Sequence, residues 1–375
     1  MSSADALTIE HLVHCERSQG GGILVKVAIS DVDSFAPKNS TIDTFARTNA
    51  VTINTVESIF QMLPERLSSG LTSLIFNCDR LAIVTEFTVF PNGNIRPGKV
   101  YRAVVNNQAE NSFGEVGAWL SGNVDAPEIV EEMPEIGEQI KLQEEASLMM
   151  ERENNMQGAL IVKMQEGKMI VGSGGQLGLY VIEKNKAKQI SRNFLVGAKN
   201  TINNFLEGAN IFTIRKVIST PLSWGEIVAF AKARGFELPS EPDALMLSEF
   251  IKREKEKSAT PEKFSELSIE ISRMLGPGEY VVFERGMPMT YFCFAEGDYW
   301  CGTMPNDKYM DLVIQRLLKT TIARISVAYK QEELVKLAEW CTQRENAAKK
   351  VERTVKFVYN NVAVENAEKM DESIR

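Results

Sequence analysis

Histidine is nearly missing from this chain. Its 375 residues hold two, His11 and His14, so a nucleophilic triad that needs an imidazole base is close to excluded. On a strand over 7–15 the two point to opposite faces, whereas zinc ligands must converge. Cysteine is sparse too: Cys15, Cys78, Cys293, Cys301 and Cys341 are scattered, with no C-x-x-C pair. That pattern excludes a disulfide scaffold and leaves buried, reduced thiols. No apolar run approaches the ~18 residues of a membrane span. The N-terminal stretch has no basic patch followed by an apolar segment, so no secretory signal is read and a cytoplasmic protein is expected. Positive charge is in deficit: 42 Lys and Arg face 50 Asp and Glu, a net charge of −8. This argues against a protein that grips nucleic acid over its whole surface, because counterion release needs clustered Lys and Arg. A local basic channel inside an acidic shell stays compatible with it. The composition is 44% hydrophobic and 25% charged, the balance of an ordinary globular chain of one large or two average domains.

Strand patterns dominate the first 106 residues. Residues 6–15 and 23–33 alternate apolar with polar around Ser18-Gln19-Gly20-Gly21-Gly22, which predicts two strands about a turn. Residues 41–50 have helical spacing through Ile42, Phe45 and Ala46, with Thr41 as the cap. A β-branched run from Val51 to Val56 leads to Met62-Leu63-Pro64. Strands at 80–90 and 95–106 flank the turn Pro91-Asn92-Gly93-Asn94. A short helix around Val116, Trp119 and Leu120 stops at Ser121-Gly122. The acidic connector 121–157 turns helical from Glu138. A hairpin is expected from 159–164 and 168–171 around Glu166-Gly167. Gly172-Ser173-Gly174-Gly175 reads as a glycine turn and not a phosphate loop, because a strand from Leu179 to Ile182 follows where a helix N-terminus would sit. Helical spacing then governs 190–207, 223–234, 242–256, 260–275 and 331–359, interrupted by strands at 280–283 and 291–295. Residues 361–375 form a polar C-terminal tail.

Several stretches carry a family pattern in order and spacing. They are Val27-Ala28-Ile29-Ser30-Asp31-Val32, then Met62-Leu63-Pro64-Glu65-Arg66-Leu67-Ser68, then Ser73-Leu74 and Arg80-Leu81-Ala82. Together they resemble the catalytic RNB domain of the ribonuclease II/R family, whose pattern runs h-h-I-A-D-V, M-L-P-x-x-L-S-x-x-x-x-S-L, R-L-A. Leu337-Ala338-Glu339 through Cys341, Glu345, Ala348, Glu352-Arg353 and Val355 match the family's C-terminal helix. The resemblance spans about residues 2–360, strong up to 120 and faint through the middle. It implies an α+β fold of the ribonuclease II-like kind, with mixed or antiparallel sheets flanked by helices, as one RNB-like domain over 1–360. It also implies a processive 3′→5′ exoribonuclease that releases nucleoside 5′-monophosphates with Mg2+. Such chemistry holds two ions about 4 Å apart, which asks for clustered aspartates as hard oxygen ligands. An arginine then neutralises the phosphorus oxygens, a tyrosine positions the terminal nucleotide, and a glutamate on the C-terminal helix completes the pocket.

The departures from the pattern fall on this chemistry. The family's D-x-D-D-A-L stretch is matched by Ser2-Ser3-Ala4-Asp5-Ala6-Leu7, in which Asp5 alone is kept. The signature T-S-P-I-R-[RK]-Y is matched by Thr303-Met304-Pro305-Asn306-Asp307-Lys308-Tyr309, which sets Asp307 in the arginine's place. By the same matching Asn54 replaces the tyrosine and Asn193 a further pocket glutamate, while Glu352 keeps its position. Losing one metal ligand or one charge-stabilising donor typically costs about 10²–10³ in rate, so their joint loss leaves little hydrolysis. Asp31 stands where the family also has aspartate; a structural role is expected, with metal ligation the alternative. The RNA-binding barrels that flank this domain in family enzymes are not seen in the sequence, which predicts weak, poorly processive RNA contact. The expectation is a catalytically silent RNB-fold protein that binds single-stranded RNA or a protein partner, with no role for DNA or membrane. The alternative is a minimal metal-dependent 3′→5′ exoribonuclease in which Asp5, Asp31 and Glu352 share a divalent ion, Mg2+.

Overall fold

Alternation and turn chemistry account for the main sheet. β1 (His11–Arg17) and β2 (Ile23–Ser30) form a hairpin across the glycine turn, and a 3-10 turn at Val32–Ser34 leads to α1 (Thr41–Asn49). The expected cap moves by one residue: Ser40, not Thr41, accepts the Asp43 N–H, at 3.1 Å, because Thr41 already has helical backbone. A short ladder, β3 (Ile53–Asn54) with β4 (Ile59–Phe60), and a π-helical turn at Arg66–Leu71 precede the long hairpin β5 (Asp79–Val89) and β6 (Ile95–Asn106). The sheet order is β1-β2-β5-β6, antiparallel throughout. The computed structural model describes residues 8–157, 167–171, 177–181, 185–258, 261–284 and 301–374.

Helices follow. They are α2 (Phe113–Leu120), α3 (Glu128–Glu132) and α4 (Pro134–Gln157), then, after the ladder β7 (Gly167–Val171) with β8 (Leu177–Val181), α5 (Lys186–Gly208). The strand at 168–171 pairs across the glycine-rich stretch with 177–181, not with 159–164, which lies outside the described residues. A loop of few residues closes at small entropic cost, so the nearer strand is the partner. β9 (Thr213–Val217) pairs with β10 (Glu279–Phe283), and between them α6 (Trp224–Lys232), α7 (Ala244–Lys257) and α8 (Pro261–Leu275) enclose a core of their own around Trp224, Phe250 and Ile271. The strand expected at 291–295 lies outside the described residues. α9 (Tyr309–Ala323) and α10 (Gln331–Ile374) complete the chain, and the backbone of α10 stays helical through the polar tail. No helix among the described residues is long and apolar enough to cross a membrane.

The inner face of the sheet (Val25, Val27, Ile29, Ile83, Phe87) packs on Phe194, Ala198 and Ile202 of α5 and on Leu312, Val313, Ile314 and Leu317 of α9. Each such side chain contributes roughly 1.5–3 kcal/mol on burial. Cys15, Cys301 and Cys341 are free and buried, and burial pushes all three thiols up to about 12. α9 is buried from Tyr309 to Leu318 without a break. It therefore has no polar stripe for sequence patterning to find, and neither α9 nor β9 was expected. Within this buried helix lies Arg316, 2% exposed. Its guanidinium meets Asp33 and Asp43, each at 2.8 Å, and donates to the Tyr329 hydroxyl and the Ala36 carbonyl, each at 2.6 Å.

Two stability effects follow. Arg316→Met strands Asp33 and Asp43 without their guanidinium, and urea unfolding is expected to lose about 3–5 kcal/mol; a loss below about 1 kcal/mol contradicts the role given to this cluster. At Gly197 a Cβ would lie 2.4 Å from the Phe87 ring, so Gly197→Ala costs about 1–3 kcal/mol through overpacking despite its gain in helix propensity.

Candidate functional site

A strip of backbone stitches the matched positions together. Ala50 ends α1 at φ 65° and turns the chain along the loop that precedes α9. Its carbonyl accepts the Tyr309 N–H at 2.9 Å, Thr52 N–H donates to the Asp307 carbonyl at 2.8 Å, and Val51 bridges Lys308. One strand step on, Asn54 N–H donates to Glu352 Oε1 of α10 at 2.8 Å. Asn54, Asp307 and Glu352, read separately from the sequence, thus share one rim. The Asn54–Glu352 contact uses the backbone, so the side chain at 54 is not needed for it. Asp5 lies outside the described residues.

Asp31 and Asn193 sit elsewhere. Asp31 is 1% exposed and caps the 3-10 turn, accepting from Ser34 N–H at 3.2 Å and Ser34 Oγ at 2.8 Å. Lys319 Nζ lies 2.8 Å from its Oδ1, and Arg102 3.5 Å from its Oδ2. Lys319 and Tyr309 are ten residues apart on α9, roughly 15 Å along the axis, so Asp31 and the Asp307 rim belong to opposite ends of that helix. Asn193 faces α4: its amide donates to Ser147 Oγ at 2.8 Å and accepts from Gln189 at 2.9 Å.

The rim's electrostatics are set by burial. Desolvation raises the Asp307 carboxyl above its ordinary range, against a hydrogen bond from Thr52 and the charge of Lys308. Glu10 is pushed well up by burial, with Asp307 and Asp311 adding to the effect, although its Oε1 accepts the Asn306 N–H at 2.8 Å. Asp311 Oδ2 accepts the N–H groups of Thr303 and Met304 at 3.1 and 2.9 Å, which fixes the loop. His11 is lowered to about 4 by burial, and its neutral ring bonds the Thr303 carbonyl. Its neighbour on the other strand face, His14, is exposed beside Glu16. Across the rim, Lys216 of β9 and Lys349 of α10 both contact Glu345. Sequence reasoning noted Glu345 only as a helix match and passed over these lysines, since 129 residues separate Lys216 from Glu345.

Donor chemistry tests the implied magnesium. Asp31 is taken up by Lys319, Arg102 and Ser34, and Glu352 Oε1 by a backbone N–H. Among the described residues no three Asp, Glu, His or Cys side chains are placed to share a metal ion. The described residues do not fit a magnesium pair.

Comparison with known proteins fits this geometry. Residues 1–324 match the model of the RNB domain. Ribonuclease R of Escherichia coli (strain K12) is 26% identical over 372 residues, covering 94% of this chain and 44% of that protein. Ribonuclease R 1 of Lactococcus lactis is 23% identical over 367 residues, covering 95% and 43%. This chain thus spans less than half the length of these curated relatives. Among solved structures, Mycoplasma genitalium RNase R in complex with ribose-methylated single-stranded RNA aligns with a TM-score of 0.78 at 20% identity, over 96% of this chain and 56% of that one. Yeast Ssd1, a pseudonuclease, aligns with a TM-score of 0.70 at 14% identity, over 92% and 42%. A nuclease and a pseudonuclease therefore share this architecture, and with the family model covering most of its length, this chain belongs to the RNB domain family.

Proposed function

We propose that this chain is a catalytically silent RNB-domain protein that binds single-stranded RNA without hydrolysing it. One observation carries the reading. Where the resemblance assigns a phosphate-neutralising arginine stands Asp307, its carboxyl buried, bonded by Thr52 and flanked by Glu10 and Asp311. Two like charges about 4 Å apart repel by roughly 1 kcal/mol in water and about 4 kcal/mol near a protein surface, so the reversal replaces attraction by a penalty. RNA as the ligand is supported by the relative solved with single-stranded RNA. The alternative hydrolase, with Asp5, Asp31 and Glu352 around one ion, is disfavoured by the length of α9 between Asp31 and the rim and by the cations already on Asp31. A protein partner is favoured by one feature, the exposed Glu128, Glu131, Glu132, Glu135 and Glu138 of α3 and early α4, and a basic protein surface would be its complement.

Labelled single-stranded RNA incubated with the pure protein and magnesium stays full length; shortening from the 3′ end that scales with protein would overturn the proposal. Asp307→Asn removes the repelling charge without adding volume, and fluorescence anisotropy is expected to report RNA binding about tenfold tighter. Affinity of the unaltered protein rises as pH falls from about 7 to about 5. The sign follows from burial: a raised carboxyl takes up its proton first, and the repulsion goes with the charge. Lys308, Asp311 and Glu10 face the same carboxyl, so part of the pH response stays in Asp307→Asn; an unchanged response assigns it to another group.

A further inference from the structure

Opposite the acids, the same rim carries an arrangement of lysines that the reading above leaves unused. Lys216 Nζ and Lys349 Nζ converge on a single oxygen, Glu345 Oε1, Lys349 at 3.1 Å and Lys216 in closer contact. Two ammoniums on one oxygen are about 6 Å apart or less, and each has three N–H donors. Lys308 acts on both Lys216 and Glu345 from the loop side, and Lys199 of α5 joins Lys216 and Lys308 around the buried Cys301. Tyr280 of β10 lies under Lys216, its ring centroid 5.3 Å from Nζ. Glu345 precedes Glu352 by seven residues on α10, two helical turns and roughly 10 Å, and Lys349 stands between them on nearly the same face. The lysines therefore adjoin the rim of Asn54, Asp307 and Glu352.

The charges do not balance locally. Burial brings Lys216 down to about 8 against the pull of Glu345, with Lys349 and Lys308 pushing the same way. Burial alone would raise Glu345, yet Lys216, Lys308 and Lys349 together bring it down to about 2. Glu345 is thus saturated with cations, and the cations are short of anion. Asp307 and Asp311 oppose from the loop, but Asp311 Oδ2 is committed to the Thr303 and Met304 N–H groups and burial raises Asp307.

We infer that Lys216, Lys308 and Lys349, beside Glu345, form a seat for a phosphate monoester dianion. A monoester carries close to two negative charges at neutral pH, where an internal RNA diester carries one, and its tetrahedral oxygens can bridge ammoniums spaced as these are. The dianion has two sources of equal chemistry, a free phosphate compound or the phosphate end of an RNA strand. The second source rests on the RNA-binding reading above; the first does not.

Calorimetric titration of the full chain with inorganic phosphate tests the seat without RNA. Binding is expected to weaken about tenfold in Lys349→Met, as for one lost charge-assisted contact. It is expected to tighten in Glu345→Gln, which releases both lysines from their shared carboxylate. Lys349 has a side chain 40% exposed, so its substitution leaves the fold intact, and an unchanged thermal midpoint verifies this. No binding in the millimolar range, or binding indifferent to Lys349→Met, overturns the inference. A second arm compares two oligoribonucleotides of one sequence, one ending in a 3′-phosphate and one in a 3′-hydroxyl. A preference for the phosphate end that Lys349→Met abolishes supports the RNA end as the source. Equal binding of the two, with inorganic phosphate still bound, supports a small phosphate compound. Should RNA be shortened during the assay, the silent reading fails while the phosphate titration still decides the seat.

Discussion

Arg316 holds this molecule's parts in register. A guanidinium inside a buried helix is tolerable only when its donors are engaged, because an unpaired buried charge costs several kcal/mol. Here Asp33, Asp43, Ala36 and Tyr329 engage it, and they come from the turn after β2, from α1 and from the segment leading into α10. Tyr309, whose hydroxyl also donates to Asp43, is the first residue of α9. The loop 303–308 therefore leaves a helix whose position is set by charge as well as by packing. Lys319, further along, closes on Asp31 and Asp33. The aspartate of the family-like strand motif is thereby spent on holding α9.

That fixed loop lets the site change its chemistry without changing its shape. The bonds from Ala50 and Thr52 to Tyr309 and Asp307 are all main-chain, as is the Asn54 end of its bond to Glu352. Side chains at 54 and 307 can then vary with the frame intact. The frame now presents a buried carboxyl at 307 and lysines around Glu345. The positive charge that the resemblance places on the loop lies instead on the facing strand and helix.

Much of this was legible in the chain and the rest had physical reasons not to be. β1, β2, β5 and β6 follow from alternation with turn residues between them, and α5 to α8 from apolar spacing, because one face of each is solvated. α9 escaped since every side is covered, and β9 because five residues with Arg215 and Lys216 among them do not read as a strand. The meeting of Asn54, Asp307 and Glu352 was approachable only through the family pattern. Asn193 shows the limit of that method: matching by spacing set it in the pocket, but its amide faces Ser147 of α4. The Lys216–Glu345 contact spans 129 residues, and neither residue type announces a partner so distant.

The central claim is that the metal-holding acids of the family are no longer assembled here. Crystals soaked in manganese and measured at its absorption edge address it directly. The account predicts no pair of anomalous peaks beside Asp5, Asp307 and Glu352. Two ions about 4 Å apart at that rim, as two-metal phosphoryl chemistry requires, would contradict it.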